Sequence, residues 1–223
     1  MTKRRFPSWR ERLQAARLYL ILDPRAAPGR DPIEATLAAV RGGVDLVQVR
    51  LKRRTTSERV DFTRTLIERL GPGGPLVIVN DDPQAALLAG AHGVHLGPDD
   101  PAVDAVRKDV GDELLIGRSA HSIEEAIRAF ALGADYAGLG AMFPTRTKRE
   151  TVLVGPEALR DLEHRANRPV FAIGGITLFN LDQILARGCH RVAISSAILG
   201  AHDPEQAARA FRDRLRETAD PGR

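Results

Sequence analysis

Residues 76–100 read LVIVNDDPQAALLAGAHGVHLGPDD, and the order of apolar and polar residues in this stretch decides the fold. Two short apolar runs are each followed by polar residues, Asn80 and Asp81 after the first and Asp99 and Asp100 after the second, with a short helical pattern between the runs. If both runs are parallel strands of one sheet, their carboxylates emerge at the same edge. Hard cations such as Mg²⁺ bind carboxylates together with substrate phosphate oxygens. The stretch therefore indicates a metal and phosphate site, the alternative being two solvated loop entries.

The same alternation of strand and helix patterns continues along the chain. Short apolar runs predict eight strands, at 18–22, 45–50, 76–80, 93–96, 114–118, 136–140, 169–173 and 191–195. Helical patterns follow them, the first beginning near Asp31 and Pro32 and the others covering 57–70, 83–90, 101–109, 122–132, 156–165, 178–187 and 203–218. Near-continuous apolar strands that alternate with helices are typical of a parallel sheet covered on both faces. The sequence therefore predicts an α/β fold.

A three-residue signature that begins with glycine recurs before every second strand. Its copies are Gly43-Val44-Asp45, Gly90-Ala91-His92, Gly133-Ala134-Asp135 and Gly188-Cys189-His190. Each follows a helix, where glycine adopts the left-handed conformation that ends a helix with least strain. Such regularity favours a closed (β/α)8 TIM barrel over an open doubly wound sheet, which has a switch point and two edges. We expect a single-domain barrel over 17–218, an N-terminal extension at 1–16 and a tail at 219–223.

Composition and charge limit the classes of partner. The 223 residues carry 33 Lys and Arg against 29 Asp and Glu, and a net charge of +4 is weak support for nucleic-acid binding, which needs clustered charge. The densest basic cluster, Lys3, Arg4, Arg5 and Arg10, lies in the N-terminal extension, where we expect a solvated tail. No apolar run predicts a membrane span and no signal peptide is evident. Cys189, the single cysteine, cannot form an intrachain disulfide, and we expect a cytoplasmic protein.

In such barrels the active site lies at the carboxyl ends of the strands. The polar residues at the ends of the second to fifth strands are Gln48, Arg50, Lys52, Asn80, Asp81, Asp100, Ser119 and His121. Gln48, Arg50 and Lys52 point to one side of their strand, and the two cations suit a phosphoryl group, although a basic strand end is often a solvated rim. For His121 we favour a cap on the following helix over a catalytic proton role.

The ends of the last three strands suit anions. The long loop after the sixth strand contains Thr145, Thr147 and Lys148, and it is either an ordinary surface loop or a lid in which Lys148 closes over an anion. The seventh and eighth strands end in Gly174-Gly175 and Ser195-Ser196, where barrels commonly form a phosphate site from backbone N–H groups. The predicted mouth therefore suits a diphosphate held by metal and cations, and a second phosphorylated molecule.

Several of these segments together are similar to those of a known enzyme family. The matching segments are Gln48-x-Arg50-x-Lys52, Val79-Asn80-Asp81, Gly93-Val94-His95-Leu96-Gly97-x-x-Asp100, Gly117-x-Ser119-x-His121, Asp135-Tyr136-x-Gly138-Leu139-Gly140, Pro144-Thr145-x-Thr147-Lys148 and Ile173-Gly174-Gly175-Ile176. In this combination and order the chain resembles thiamine phosphate synthases over essentially its whole length, from Leu18 to Leu199.

The resemblance implies a reaction in which aminomethylpyrimidine diphosphate and thiazole phosphate give thiamine phosphate and pyrophosphate. It implies that Asp81 and Asp100 ligate Mg²⁺, that Arg50, Lys52, Asn80 and Lys148 hold the diphosphate, and that Gln48 and Ser119 face the pyrimidine. It further implies that Thr145 and Thr147 line the lid side, that Gly175, Ser195 and Ser196 lie at the thiazole phosphate, and that Lys148 and Ser119 are the catalytic side chains. The implied partners are small-molecule substrates. Whether the chain forms a homo-oligomer is left open by the resemblance.

Two departures and two rival functions accompany the resemblance. Leu51 stands where many relatives carry Glu, and Pro98 stands where Gln is common, so that Pro98 could alter the loop that carries Asp100. The nearest rival is a thiazole tautomerase, which uses a histidine in acid–base chemistry, and His121 keeps that alternative open. Lys52 and Lys148 favour the synthase, because a diphosphate needs cations. The second rival is a non-catalytic sensor of phosphorylated ligands.

Overall fold

The computed structural model describes residues 8–145, 152–160 and 162–217. Its eight parallel strands form a closed barrel in which sequence neighbours pair and the last strand pairs with the first. The strands are β1 (Leu18–Leu22), β2 (Leu46–Val49), β3 (Leu76–Asn80), β4 (Gly93–Leu96), β5 (Leu115–Ala120), β6 (Tyr136–Leu139), β7 (Val170–Ile173) and β8 (Val192–Ile194). The predicted (β/α)8 barrel is confirmed.

Helices connect the strands and surround the barrel. They are α1 (Trp9–Ala15), α2 (Pro32–Arg41), α3 (Thr56–Leu70), α4 (Pro83–Ala89), α5 (Val103–Val110), α6 (Ile123–Ala131), α7 (Leu162–Arg165), α8 (Leu181–Leu185), α9 (Ser196–Leu199) and α10 (Pro204–Glu217), with 3₁₀ turns at Pro24–Ala26 and Pro156–Leu159. As predicted, Asp31 caps α2, accepting the N–H groups of Ile33 and Glu34. Among the described residues, none of the helices is long and apolar enough to cross a membrane.

The structure differs from the predicted helices after the last three strands. The predicted helix 156–165 is a 3₁₀ turn followed by the short α7. The predicted helix 178–187 begins only at Leu181, because Asn180 Oδ1 accepts the N–H of Thr177 at 2.8 Å and closes a turn there. The short α9 directly after β8 was not predicted.

Side chains on the strands alternate between two apolar layers. One layer packs between strands and outer helices and includes Leu20, Val47 and Val79. The other fills the barrel interior and contains Tyr19, Ile21, Leu46, Leu76, Ile78, Leu115, Tyr136, Phe171 and Ala193 from the strands. Because side chains alternate along a strand, this second set identifies the inward positions. Gln48, Arg50, Asn80, His95, Ser119 and Ser195 share that inward phase.

Helix α1 closes the amino-terminal end of the barrel. Leu13 is 1% exposed and belongs to the interior cluster. The Trp9 ring contacts the edge of the His92 ring at a centroid distance of 5.0 Å, just before β4 begins. Arg10 Nε donates to Asp135 Oδ1 at 3.2 Å, just before β6 begins. Arg10 is therefore part of an ordered helix and not of a tail, although its side chain is 49% exposed. Lys3, Arg4 and Arg5 lie outside the described residues.

The glycine signatures also organise this end. Gly43, Gly90, Gly133 and Gly188 have φ values of 103°, 70°, 105° and 77°, as predicted for residues that leave a helix in a left-handed conformation. The third residue of three copies accepts a backbone N–H from the barrel: Asp45 from Arg17 and Leu18, His92 from Val77, and Asp135 from Ile116. The signatures therefore stabilise the amino-terminal end of the barrel, which is opposite the end where we expect the active site.

Candidate active site at the carboxyl ends of the strands

Arg50, directly after β2, is held by a buried carboxylate that follows β1. Asp23 is 2% exposed, and its Oδ2 accepts a hydrogen bond from Arg50 Nη1 at 2.5 Å. Arg25 binds the same carboxylate through Nε at 3.0 Å and Nη2 at 2.6 Å. Burial by itself raises the pKa of Asp23, but the hydrogen bonds from Arg25 and the positive charge of Arg50 outweigh burial and lower it. An ionised Asp23 therefore fixes Arg50 at the mouth of the barrel.

Asp81, directly after β3, contacts Lys52 from the neighbouring strand end. Lys52 Nζ donates to Asp81 Oδ2, and the two side chains are 42% and 19% exposed. Asp81 has a φ of 67°, a left-handed conformation that Asp and Asn adopt more readily than other side chains. Burial raises the pKa of Asp81, but hydrogen bonds from Lys52 and Asp100, together with the charges of Lys52 and Arg50, lower it overall. Asp81 is thus an ionised carboxylate beside two cations.

Asp100 is held by a closed turn after β4. Its Oδ2 accepts the N–H of Gly97 at 2.6 Å, and its own N–H donates to the Gly97 carbonyl at 3.2 Å. Arg118 extends from β5 to the same loop and donates to the carbonyls of Pro98 and Pro101 at 3.4 and 3.3 Å. The turn therefore forms with Pro98 in place. Burial and the neighbouring Asp81 carboxylate raise the pKa of Asp100.

The two carboxyls fit the requirements of a hard divalent cation. Asp81 and Asp100 interact directly, and the pKa of Asp100 is raised by burial and by the negative charge of Asp81. A cation between them would remove that repulsion, since oxygen ligands are the ones Mg²⁺ prefers. No group of three or more His, Cys, Asp or Glu side chains suited to a metal occurs among the described residues. Two carboxylates that leave the other positions to water and substrate phosphate match the usual binding of Mg²⁺ in such sites.

A chain of five hydrogen-bonded side chains crosses the barrel interior beneath this charged mouth, and we refer to it as the interior chain. Gln48 Nε2 is 2.7 Å from Tyr19 Oη, which is 2.8 Å from Tyr136 Oη. Tyr136 Oη is 3.2 Å from His95 Nδ1, and His95 Nε2 is 3.1 Å from Ser119 Oγ. Gln48 and Ser119, both predicted to face the pyrimidine, are therefore the two ends of one buried polar network.

The interior chain is electrically neutral. Burial, the largest cause, lowers the pKa of His95 to about 4, and the nearby Asp81 only partly opposes that effect. Burial likewise raises the pKa of both Tyr19 and Tyr136 far above the ordinary tyrosine value. At neutral pH the network therefore carries hydroxyl, amide and imidazole groups and no net charge, while the charged groups lie at the mouth.

The histidine at the site is His95, for which no role was predicted. His121, which kept the tautomerase alternative open, instead pairs with Glu125 at 3.4 Å and donates its backbone N–H to the same carboxylate at 2.7 Å. His121 is not the cap either, because Ser122 accepts the N–H that caps α6. The sequence signal for His95 was its place in the alternation of β4, and the structure pairs it in register with Gly117 of β5.

The remaining predicted site residues lie after β6, β7 and β8. Gly175 has a φ of 64°, and a Cβ there would lie 2.5 Å from the Pro144 carbonyl, so that only glycine allows the loops after β6 and β7 to meet. Ser195 Oγ donates to the Ile21 carbonyl at 2.9 Å, and Ser196 is exposed. Thr145 is half-buried at the end of the described segment. The predicted residues Thr147 and Lys148 lie outside the described residues.

The structure thus brings most of the predicted side chains to one end of the barrel. Arg50, Lys52, Asp81 and Asp100 are linked by direct contacts or charge interactions, and Asn80 is 8% exposed at the end of β3 beside them. The prediction missed Asp23 beneath Arg50, and it missed the roles of Tyr136 and His95 in the interior chain. Tyr19 was likewise not predicted, since its role depends on a partner across the barrel.

Comparisons with known proteins agree over nearly the whole chain. The family model described as thiamine monophosphate synthase matches residues 18–198. The chain is 36% identical over 201 residues to a thiamine-phosphate synthase of Pyrococcus horikoshii, covering 90% of this chain and 95% of the relative. It is 37% identical over 201 residues to thiamine-phosphate synthase 1 of Aquifex aeolicus, covering 90% and 94%.

A solved structure gives the same result. The chain is similar to the thiamine phosphate pyrophosphorylase of Pyrococcus furiosus with a TM-score of 0.83 and 34% sequence identity, over 95% of this chain and 99% of the other. The family model likewise includes every strand of the barrel, since β1 to β8 all lie within residues 18–198. The chain therefore belongs to the thiamine monophosphate synthase family.

Proposed function

We propose that this chain is a thiamine phosphate synthase, a transferase that condenses aminomethylpyrimidine diphosphate with thiazole phosphate and releases pyrophosphate. The observation that carries the proposal is the contact between Lys52 and Asp81, with Asp100 and Arg50 acting on the same carboxylate. A cation–carboxylate cluster at the carboxyl ends of barrel strands suits a diphosphate leaving group. The family of the chain supports the same reaction.

In the proposed reaction the bond between the pyrimidine methylene carbon and the diphosphate oxygen breaks, and the oxygen keeps the electron pair. The electron-rich aminopyrimidine supports the positive charge left on the methylene carbon, and the thiazole nitrogen then forms the new C–N bond. No side-chain nucleophile is needed. Arg50 and Lys52 lower the barrier by stabilising the negative charge that grows on the departing pyrophosphate.

The role of the metal rests on the two carboxyls described above. Asp81 and Asp100 would hold Mg²⁺, which supplies Lewis-acid stabilisation of the pyrophosphate when bound. Beneath the mouth the chain itself provides a buried floor, because Tyr19, Tyr136 and Phe171 are at most 1% exposed inside the barrel. Lys148 and Thr147 are proposed to add contacts to the diphosphate from the loop after β6.

The phosphate of the thiazole substrate is proposed to lie at the ends of β7 and β8. There Gly175 lets the loop after β6 approach the end of β7, and the hydroxyl of Ser195 is already used by the Ile21 carbonyl. We therefore propose that Gly175, Ser195 and Ser196 contribute backbone N–H groups, the kind of phosphate site that barrels commonly form after the last two strands.

Incubation of the chain with both substrates and Mg²⁺ tests the proposal. The products are measured by chromatography. Formation of thiamine phosphate and pyrophosphate supports a synthase. Isomerised thiazole without condensation would support a tautomerase, and substrate binding without turnover would support a sensor. Lys52→Ala removes one of the proposed diphosphate-binding cations. Lys108→Ala is the matched control, because Lys108 lies in the last turn of α5 at the opposite end of the barrel. Only Lys52→Ala is expected to lose turnover.

A further inference from the structure

The interior chain joins side chains from five different strands into one continuous hydrogen-bonded path. Gln48 on β2 contacts Tyr19 on β1, Tyr19 contacts Tyr136 on β6, Tyr136 contacts His95 on β4, and His95 contacts Ser119 on β5. Its three middle members are at least 93% buried, with exposures of 1% for Tyr19, 0% for Tyr136 and 7% for His95. Water therefore does not interrupt the path between its ends.

Tyr136 occupies the centre of this path for a steric reason. A Cβ on Gly117 would lie 2.1 Å from the Tyr136 Cζ atom, so the ring fits only because residue 117 is glycine. The ring also makes edge-to-face contacts with Tyr19 and Phe171 at centroid distances of 5.8 and 5.9 Å. These contacts fix the Tyr136 hydroxyl between Tyr19 and His95, where it has one proton to donate and one neighbour on each side.

A hydroxyl donates one proton and can accept two. When both tyrosine hydroxyls donate to another member of the path, a single choice at the Gln48 end determines all the others. The neighbour of Tyr19 at the Gln48 end is the Nε2 amide nitrogen, and an amide nitrogen can only donate. Tyr19 then accepts from Gln48 and donates to Tyr136, and Tyr136 donates to His95 Nδ1. His95 must carry its proton on Nε2 and donate it to Ser119.

We propose that the interior chain is polarised in this one direction, from Gln48 to Ser119, and that Tyr136 is the positioning residue that sets how Ser119 meets the substrate. Because Ser119 Oγ accepts from His95, its own proton is free to be donated at the mouth. At the other end, the Oε1 atom of Gln48 is free to accept. The barrel thus presents a donor and an acceptor at fixed places.

This pair has a chemical counterpart in the proposed substrate, and here the inference rests on the proposed function. A 4-aminopyrimidine carries an amino group that donates and ring nitrogens that accept, the complement of an acceptor at Gln48 and a donor at Ser119. A 4-oxopyrimidine, in which a carbonyl replaces the amino group, offers the opposite pattern at that position. The polarised interior chain of hydrogen bonds therefore selects aminopyrimidines and disfavours their oxo analogues, since a buried mismatch leaves polar groups unpaired.

The position of the proton on His95 tests the direction without any substrate. In ligand-free protein labelled with ¹⁵N-histidine, nitrogen chemical shifts distinguish the two tautomers, and the His95 signals are those that change in Tyr136→Phe and disappear in His95→Gln. A proton on Nε2 with an unprotonated Nδ1 supports the proposal. A proton on Nδ1, or on both nitrogens, overturns it. This readout is independent of whether the chain makes thiamine phosphate.

Tyr136→Phe tests the positioning role, because it keeps the ring that Gly117 admits and removes the hydroxyl. We expect kcat with the aminopyrimidine diphosphate to fall about tenfold, while KM for thiazole phosphate stays within about twofold. We also expect the preference for amino over oxo pyrimidine diphosphate, measured as competitive inhibition by the oxo analogue, to weaken. An unchanged kcat and an unchanged preference would overturn the positioning role.

Phe171→Leu is the matched packing control. Phe171 contacts both Tyr19 and Tyr136 and has no hydroxyl, so this variant disturbs the same aromatic cluster and leaves the interior chain complete. We expect it to lower the melting temperature while His95 keeps its proton on Nε2 and the preference for the amino compound persists. Loss of the preference in Phe171→Leu to the same extent as in Tyr136→Phe would show that packing alone is responsible.

Discussion

Asp81 combines a strained backbone with a predicted metal-binding carboxylate. Its φ of 67° costs energy for most side chains, and Asp and Asn are among the residues that tolerate it best. Such outliers are common at functional sites, where the surrounding structure holds them. The backbone at Asp81 is therefore one that asparagine can adopt without disturbing the fold.

We expect Asp81→Asn to separate folding from function. The variant keeps the shape and the left-handed backbone but removes the charge that pairs with Lys52 and would bind the cation, so Mg²⁺-dependent turnover should fall at least about a hundredfold. Circular dichroism and thermal melting should remain close to those of the unmodified chain. Retained activity at ordinary Mg²⁺ concentration would contradict the metal-binding role.

Asp23 predicts a pH dependence of stability. Because its pKa in the folded chain is lowered by Arg25 and Arg50 despite burial, the ionised form is favoured by folding. This stabilisation is present above the ordinary carboxyl pKa of about 4 and is lost as the pH falls through the lower folded value. Urea unfolding between acid and neutral pH should show a weaker decline below about pH 4 in Asp23→Asn than in the unmodified chain.

Asp23→Asn should also weaken the binding of the pyrimidine diphosphate, since Arg50 loses its ionised partner and becomes free to move. We expect a higher KM for that substrate and little change in KM for thiazole phosphate. An equal rise in KM for both substrates would mean that Asp23 stabilises the whole carboxyl end of the barrel and does not act through Arg50 alone. Arg25→Ala is the control, because Arg25 binds the same carboxylate and its removal leaves the contact between Asp23 and Arg50 in place.

At the scale of single residues, the sequence was informative wherever alternation along one strand sufficed. The inward phase of Gln48 and Arg50 follows from the pattern of β2, and the structure agrees. The roles of Tyr19 and Asp23 could not be predicted, because they depend on partners from other strands. Lys148 and Thr147 stay predictions, as does the binding of Mg²⁺.

At the scale of elements, α1 is the clearest difference from expectation. The extension was predicted to be a tail, but Trp9–Ala15 form a helix, and Ser8 and Glu11 form its capping box, a signal that the sequence contains. The ends of the predicted strands lie within two residues of the ends in the structure. Short apolar runs bounded by polar residues define such strands well. The broken helices near α7 and α8 depend on local turns that periodicity does not detect.

The docking of α1 leads to a stability prediction. Leu13→Ala removes a side chain that is 1% exposed, and the cavity should lower the free energy of unfolding by about 3 kcal/mol. Turnover below the melting temperature should not change, because α1 lies at the end of the barrel opposite the active site. Leu132→Ala is the control, since Leu132 is 47% exposed and its loss should cost less than about 0.5 kcal/mol. Equal effects in urea titrations would contradict the burial of α1.

At the scale of the whole molecule, the two ends of the barrel carry different tasks. The amino-terminal end is stabilised by glycine signatures and by Asp135, which accepts from Arg10, Arg107 and the N–H of Ile116. The carboxyl end holds charged groups that interact with one another and are proposed to bind the substrates. The closed barrel and the family were both predictable from the sequence and are confirmed, because they depend on regular repetition over the whole chain. The cytoplasmic location stays a prediction.

This division predicts a double dissociation. Asp135→Asn should lower the free energy of unfolding by about 3 kcal/mol, because it removes the charge that pairs with a mostly buried Arg107, and kcat/KM should not change. Lys52→Ala should do the reverse, with lost turnover and an unchanged unfolding midpoint. Chemical denaturation and steady-state kinetics on the same preparations provide the comparison. A large loss of turnover in Asp135→Asn would show that the two ends are coupled.

The edge contact between Trp9 and His92 has a practical consequence for spectroscopy. Trp9 is the only tryptophan in the 223 residues, and its indole lies against the underside of the barrel, a full strand length from where substrates are proposed to bind. Its fluorescence should therefore change when the first helix detaches and when the whole protein unfolds. It should not change when either substrate is titrated into the folded enzyme.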